Sequence, residues 1–295
     1  MWQQIVSSFS FQALWSPEFF PFLFLVAYFY FWAVGPGKKH FQDVEPVPVY
    51  KKIVFLSGLG LFYLSFGGPL YLIGHLMFSV HMIQMAVGLL IAPPLLLLGT
   101  PSWLLKGLIL KIPFRKHVKW IGNPIFAVLL FNALFSFYHF PVIFDYLMVE
   151  RILHNSYLVL LFASAMMMWW TIVAPVQEWN RLSELKRIGL IFLDGMLLTP
   201  ACALIIFSNT ALYATYTDPQ TWAQVMSLCL PPGQTVSPEF IEQFMWLSLL
   251  EDQRLGGVLM KVIQEVIYGS FLGYVFFQWM GREKRKEEQL EWVPE

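Results

Sequence analysis

Charge is scarce in this sequence. Only 13% of its 295 residues are Asp, Glu, Lys or Arg, and 57% are hydrophobic. Soluble domains carry about 25% charged and about 45–50% apolar residues. The 19 basic residues cancel the 19 acidic ones. A soluble chain this apolar, with no net charge, would associate and precipitate. Disorder is excluded because it requires polarity and charge. The lack of a basic excess excludes a nucleic-acid binder. Cysteine is scarce too. Cys202 lies in an apolar run and Cys229 in a polar loop, which predicts different depths, so neither a disulfide framework nor a cysteine metal site is expected. Positive charge is missing from residues 1–18, which also lack a small-residue cleavage site. They do not read as a signal peptide, and export is expected to rest on the first membrane helix. No repeat at a fixed period is visible. No serine stands in a nucleophile motif with a placed histidine, which argues against a membrane protease.

Long apolar runs are abundant. They predict an all-α integral membrane protein, one membrane domain with seven spans at about 17–34, 53–71, 74–98, 124–142, 152–174, 188–212 and 255–280. A span needs about 20 residues, and helices satisfy their backbone polar groups within the segment. Basic residues sort by side. Sixteen fall in the connections after spans one, three and five and in a charged tail at 281–295. The opposite connections carry only Arg151 and Arg254. Basic residues mark the cytoplasmic side, so the N-terminus is expected outside and the C-terminus in the cytoplasm. The cytoplasmic segments then hold nine acidic residues against those sixteen, and the outer ones eight against two. The long outer connection after span six is expected to hold a short surface helix at about 238–250.

This topology sorts the histidines. His40 and His117 fall in basic cytoplasmic loops and read as headgroup-facing residues. His75 is expected to open span three from the outer side, with His81 about 9 Å deeper on the same helix. His139 lies near the outer end of span four, and His154 near the outer start of span five. Histidines within a membrane face a bundle interior or a cavity. Each alone reads as an interhelical hydrogen bond; four at similar depth favour a shared site. On span three, His75, His81, Met82 and Met85 fall within an arc of roughly 120°. Thioether with imidazole suits Cu(I), although methionine is also ordinary filling in apolar bundles. Lys261 and Glu265, four apart on span seven, read as an ion pair. Asp194 is expected to pair with Arg187 or another basic residue, and Asn132 to hydrogen-bond across helices. Pro93 and Pro94 either shape a cavity or end span three early. A retinal protein has the same outline, but Lys261 is too near the outer end and span three offers no carboxylate counter-ion.

The stretch His81-Met-Ile-Gln-Met-Ala-Val-Gly-Leu-Leu-Ile-Ala-Pro-Pro-Leu-Leu-Leu-Leu-Gly99-Thr-Pro resembles the signature of the Bacillus-type CtaG cytochrome c oxidase assembly factors. Ala13-Leu-Trp-Ser-Pro17, the Phe-Tyr-His-Phe-Pro that ends at Pro141, and Glu251-Asp-Gln-Arg-Leu-Gly-Gly257 agree with it in order. The resemblance implies a multi-pass protein of the bacterial plasma membrane that helps mature a haem–copper oxidase. It implies copper supply to the copper site of oxidase subunit I, with a copper donor protein as a further partner. Where the family pattern reads His-x-x-x-His, this chain has His81 and Met85.

Three functions follow as expectations. In the first, an assembly factor binds Cu(I) at His75, His81, Met82, Met85, His139 and His154 and passes it on by ligand exchange, without enzymatic catalysis. In the second, the protein is a metal-free scaffold for oxidase subunits and the histidines are interhelical glue. The third is a metal or solute transporter, disfavoured because the inner half lacks a matching polar pathway and no inverted repeat is visible.

Overall fold

The computed structural model describes residues 2–111, 123–180, 182–230 and 246–291, and among them every regular element is a helix. Six segments are long and apolar enough to cross a bilayer: Pro17–Val34, Val49–Leu76, Phe78–Gly99, Arg151–Val173, Glu184–Phe207 and Leu249–Arg285. A seventh is obtained if Pro124–Tyr138 and Pro141–Met148, bent by 76° at their junction, count as one. Pro17–Val34 and Arg151–Val173 coincide with the apolar runs at 17–34 and 152–174 to within a residue, and Glu184–Phe207 lies about five residues before the run at 188–212. The surface helix expected at 238–250 falls mostly on residues outside the described set, as does His117.

Helices α1 (Trp2–Ser8) and α2 (Phe11–Trp15) precede the first span, whose helical body is α3 (Phe20–Val34). Span α3 lies at the periphery. Phe24 and Tyr28 are 73% and 64% exposed on it, which suits a lipid-facing surface. It is tied in where Tyr30 stacks on Phe55 at 3.8 Å and donates to the Gly99 carbonyl at 2.8 Å, and where Phe20 packs on Tyr63.

The second and third spans form a hairpin whose turn is not where hydropathy puts it. Helix α4 (Val49–Phe66) breaks at Gly67-Gly68, and both glycine N–H groups donate to the Tyr63 carbonyl. Pro69 then starts α5 (Pro69–Leu76), the extended residue Met77 makes the turn, and α6 (Phe78–Ala86) descends. His75 therefore belongs to the arm before the turn. It does not open span three, and the single-helix arc drawn through His75 and His81 does not exist. The run is apolar straight through the turn, so hydropathy could not locate it. Gly74 explains the fold-back: a Cβ there would stand 3.1 Å from the Cα of His81. Only a glycine lets the two arms lie this close.

Below α6 the helix widens into a π turn over Val87–Ile91 and continues as α7 (Ala92–Gly99) through Pro93 and Pro94. The prolines do not end the span. Pro93 cannot donate to the carbonyl four residues back, Leu89, and the Trp169 indole N–H fills that acceptor at 3.0 Å. After α8 (Ser102–Leu110) comes α9 (Pro124–Tyr138). The expected helix over 124–142 is corrected here: it stops at Tyr138. Pro141 forces the preceding Phe140 into extended backbone and begins a separate helix, α10 (Pro141–Met148).

Helices α11 (Arg151–Val173) and α12 (Glu184–Phe207) complete the centre with the last helix. The connection after α12 is helical in part, as α13 (Ala214–Thr217) and α14 (Pro219–Cys229). The final helix α15 (Leu249–Glu291) is 43 residues long, about 64 Å at helical rise. It outruns the membrane and carries residues 281–291 as its continuation; Arg282 pairs with Glu184 at 2.7 Å. The main buried cluster joins α6, α7, α9, α11, α12 and α15. A second cluster packs α1, α2 and α14 around α5.

Candidate functional site

Three carboxyl or amide side chains fix the backbone around the histidines. Asp252, in the first turn of α15, accepts from the Phe78 N–H at 2.7 Å, the Ser79 N–H at 3.3 Å and the Ser79 hydroxyl. It supplies from another helix the cap that α6 lacks locally. Its neighbour Gln253 accepts from the Leu212 N–H at 2.7 Å and donates to the Ile205 carbonyl at 3.1 Å. Asp145 of α10 accepts from Ala214, Thr215 and the Thr215 hydroxyl, starting α13. Gly256 then allows α15 to press on α6, since a Cβ there would meet Phe78 at 2.8 Å and Met82 at 3.0 Å. Within the Glu-Asp-Gln and Gly-Gly pieces of the sequence motif, Asp252 and Gly256 thus clasp the last helix to α6, and Gln253 and Gly257 fasten it to α12.

All four histidines lie together at this end of the bundle, each no more than 3% exposed. His81 and His139 have ring centroids 5.8 Å apart, and His75 and His154 5.6 Å. Tyr138 stands among them. Its ring is near-parallel to His81 at 5.8 Å and to His154 at 6.1 Å. Its hydroxyl lies 3.0 Å from the Nε2 of His154, with the Met148 sulfur at 3.9 Å as a second neighbour. Tyr71 stacks on His154 and packs on His75.

Hydrogen bonds set the ring nitrogens. His75 Nδ1 meets the Tyr71 carbonyl at 2.7 Å and His139 Nδ1 the Phe135 carbonyl at 2.8 Å. A carbonyl accepts only, so each Nδ1 carries the proton and each Nε2 keeps its lone pair, as in metal-binding histidines. His139 Nε2 and both nitrogens of His81 lack a partner in good hydrogen-bonding geometry, although the Gln84 side chain is close enough to act on His81. Other buried polar atoms of the described residues share this state, so it is the facing of the two rings that singles this place out. Among the described residues, no three His, Cys, Asp or Glu side chains converge closely enough to hold one ion.

An aromatic roof closes the cluster. Phe78 stacks on Tyr213 and meets Tyr216 edge to face, and Phe144 packs tilted against both tyrosines. Tyr213 donates to the His139 carbonyl at 2.9 Å and Tyr216 to the Gly74 carbonyl at 2.6 Å. Tyr216→Phe removes one buried hydrogen bond, a loss of about 0.5–1.5 kcal/mol. A lowered melting temperature in detergent, with unchanged helical content, is the expected result.

Two of the remaining predicted residues share the main core with Phe78, Tyr138 and Phe144. Met82 and Met85 are fully buried in the main core, Met82 against Gly256. Asp194 does not pair with Arg187: Asn132 donates to it, and also to the Val128 carbonyl at 2.9 Å. Lys261 pairs with Glu265 at 2.7 Å and donates to Thr199. His40 stacks on Trp32, remote from the cluster in the fold. Cys202 and Cys229 are both free; burial pushes the Cys229 thiol up to about 12, which keeps it protonated. Sequence reasoning missed Tyr138, although it adjoins His139 in the Phe-Tyr-His-Phe-Pro motif. It missed Tyr71 as well, one helical turn before His75. Nothing in the sequence pattern pointed to Tyr213 or Tyr216.

The sequence model of a family described as cytochrome c oxidase caa3 assembly factor matches residues 28–282. Comparison with curated proteins and with solved structures gave no match.

Proposed function

The chain belongs to the caa3-type cytochrome c oxidase assembly factors, multi-pass proteins of the bacterial plasma membrane whose task is assembly rather than catalysis, and from that membership we propose that it handles copper for the oxidase. Cu(I) is the substrate. The buried histidine cluster receives it, from a copper donor protein, and releases it to the copper site of oxidase subunit I. The observation carrying this reading is the facing of the buried His81 and His139 rings, whose free nitrogens lack a well-placed partner. Imidazole is a good copper ligand, and exchange between neutral rings needs no catalytic base. The proposal includes seven spans with the N-terminus outside. It then places the cluster on the outer, acidic side, which favours approach of a cation.

The test pairs two measurements on His81→Ala/His139→Ala/His154→Ala. Purified anaerobically, it should lose Cu(I) affinity by at least 100-fold. In a deletion strain it should accumulate in the membrane yet fail to restore cytochrome c oxidase activity. Undiminished affinity would sink the copper reading. The second reading, a metal-free scaffold, is favoured by the absence of any three converging ligands of the His, Cys, Asp or Glu type among the described residues. It requires full oxidase activity from the same variant.

A further inference from the structure

We propose that the four histidines form two separate two-ligand stations for Cu(I), joined through Tyr138, instead of one shared site. This rests on the copper reading and adds its stoichiometry and internal path. The Tyr138 ring is near-parallel to His81 and to His154, tilted 21° from each, and meets His154 through its hydroxyl edge. It thereby contacts both pairs, His81 with His139 and His75 with His154. The two pairs are alike: centroids 5.8 and 5.6 Å apart, planes inclined at 56° and 60°. Two imidazoles that share an ion, with nitrogens about 2.0–2.1 Å from it, have ring centroids about 5.2 Å apart at a tetrahedral angle and about 6.4 Å apart when linear. Both pairs fall within that range, and a linear two-ligand ion needs each to open by less than about 1 Å. Cu(I), a closed-shell d10 ion, is content with two ligands, so the lack of three converging ligands among the described residues is no obstacle.

The stations differ in readiness. In the first, both rings offer unpartnered nitrogens, and the Phe135 carbonyl holds His139 in the required tautomer. In the second, the Tyr71 carbonyl does the same for His75, but His154 Nε2 is engaged by the Tyr138 hydroxyl. Loading this station means exchanging that hydrogen bond for a metal bond. The freed hydroxyl still has the Met148 sulfur within reach. Tyr138 is therefore the latch on the second station: the His81/His139 pair fills first, and the His75/His154 pair fills only when the tyrosine lets go.

The experiment is an anaerobic titration of the full-length protein in detergent with Cu(I), in competition with a chromophoric Cu(I) chelator. Two equivalents are expected, the second at least tenfold weaker. His75→Ala/His154→Ala should keep one equivalent at the tighter affinity. Tyr138→Phe keeps the ring and removes the latch, so the second equivalent should tighten severalfold. X-ray absorption of the unsubstituted protein at one equivalent, which needs no variant to fold, should show two nitrogen neighbours and no third ligand. A single equivalent abolished by either histidine pair, or a three- or four-ligand shell, would overturn the two stations and leave the copper reading standing. No binding at all would overturn the copper reading itself.

Discussion

Asp252→Ala is expected to lower the stability of the protein by about 3–5 kcal/mol and to deplete it from the membrane. Three buried donors depend on this carboxylate: the N–H groups of Phe78 and Ser79 and the Ser79 hydroxyl. Hydrogen bonds to a charged group contribute about 1.5–3 kcal/mol each, and an orphaned buried donor costs about 1–3 kcal/mol. The three share one acceptor, so their losses do not simply add. The carboxylate also sits at the positive end of the α6 dipole. Asp252→Asn keeps an acceptor and should lose about half as much. Thermal unfolding in detergent and membrane abundance by immunoblot are the measurements. A melting temperature unchanged in Asp252→Ala would refute the clasp.

Gly99→Val is expected to be comparably damaging for a steric reason. A Cβ at Gly99 would stand 2.6 Å from the Phe55 Cα, a backbone atom that no rotamer change can move. On the other side of this contact, a Cβ at Gly58 would lie 2.9 Å from the Leu96 nitrogen. The two glycines let α4 and α7 touch backbone to backbone. Overpacking costs about 1–3 kcal/mol even where side chains can yield; here a helix must shift and loosen the Tyr30–Gly99 bond. Gly60 is the control, on the same helix with open space around it. Gly60→Ala should be neutral or stabilise by up to about 1 kcal/mol through helix propensity. Equal effects at the two positions would show that helix propensity, not the close approach, governs this pair.

What could be read from the sequence follows physical range. Span one was legible because its ends coincide with changes in polarity, and so were the starts and stops of the fifth and sixth helices to within several residues. That the four histidines share one end of the bundle followed from the spans. The turn at Met77 was hidden because it lies in apolar sequence, where a glycine pair and a proline mark it and hydropathy does not. That error put His75 on the wrong arm, and only the packing of α5 on α6 brings it back to the cluster. The end of α9 was legible in principle, since Pro141 constrains the residue before it. Tyr138 could not have been chosen from periodicity, because an aromatic beside a histidine looks like any other lipid-facing ring in a chain with 28 phenylalanines and 12 tyrosines. Its role depends on stacking between helices far apart in sequence.

The clasp on α6 also imposes an order in time. The partner of Phe78 lies 174 residues further along the chain, and Gly256 and Gly257 close on α6 and α12 in the same stretch. A ribosome adds about 5–20 residues per second, so the arm carrying His81 waits roughly 10–35 s before its cap exists. During that interval the start of α6 has no protein acceptor from α15. The histidine cluster is thus finished among the last events of biogenesis, when the final helix docks. A nascent chain that met copper earlier would present its histidines on unanchored helices, whereas a completed one presents them already oriented and roofed.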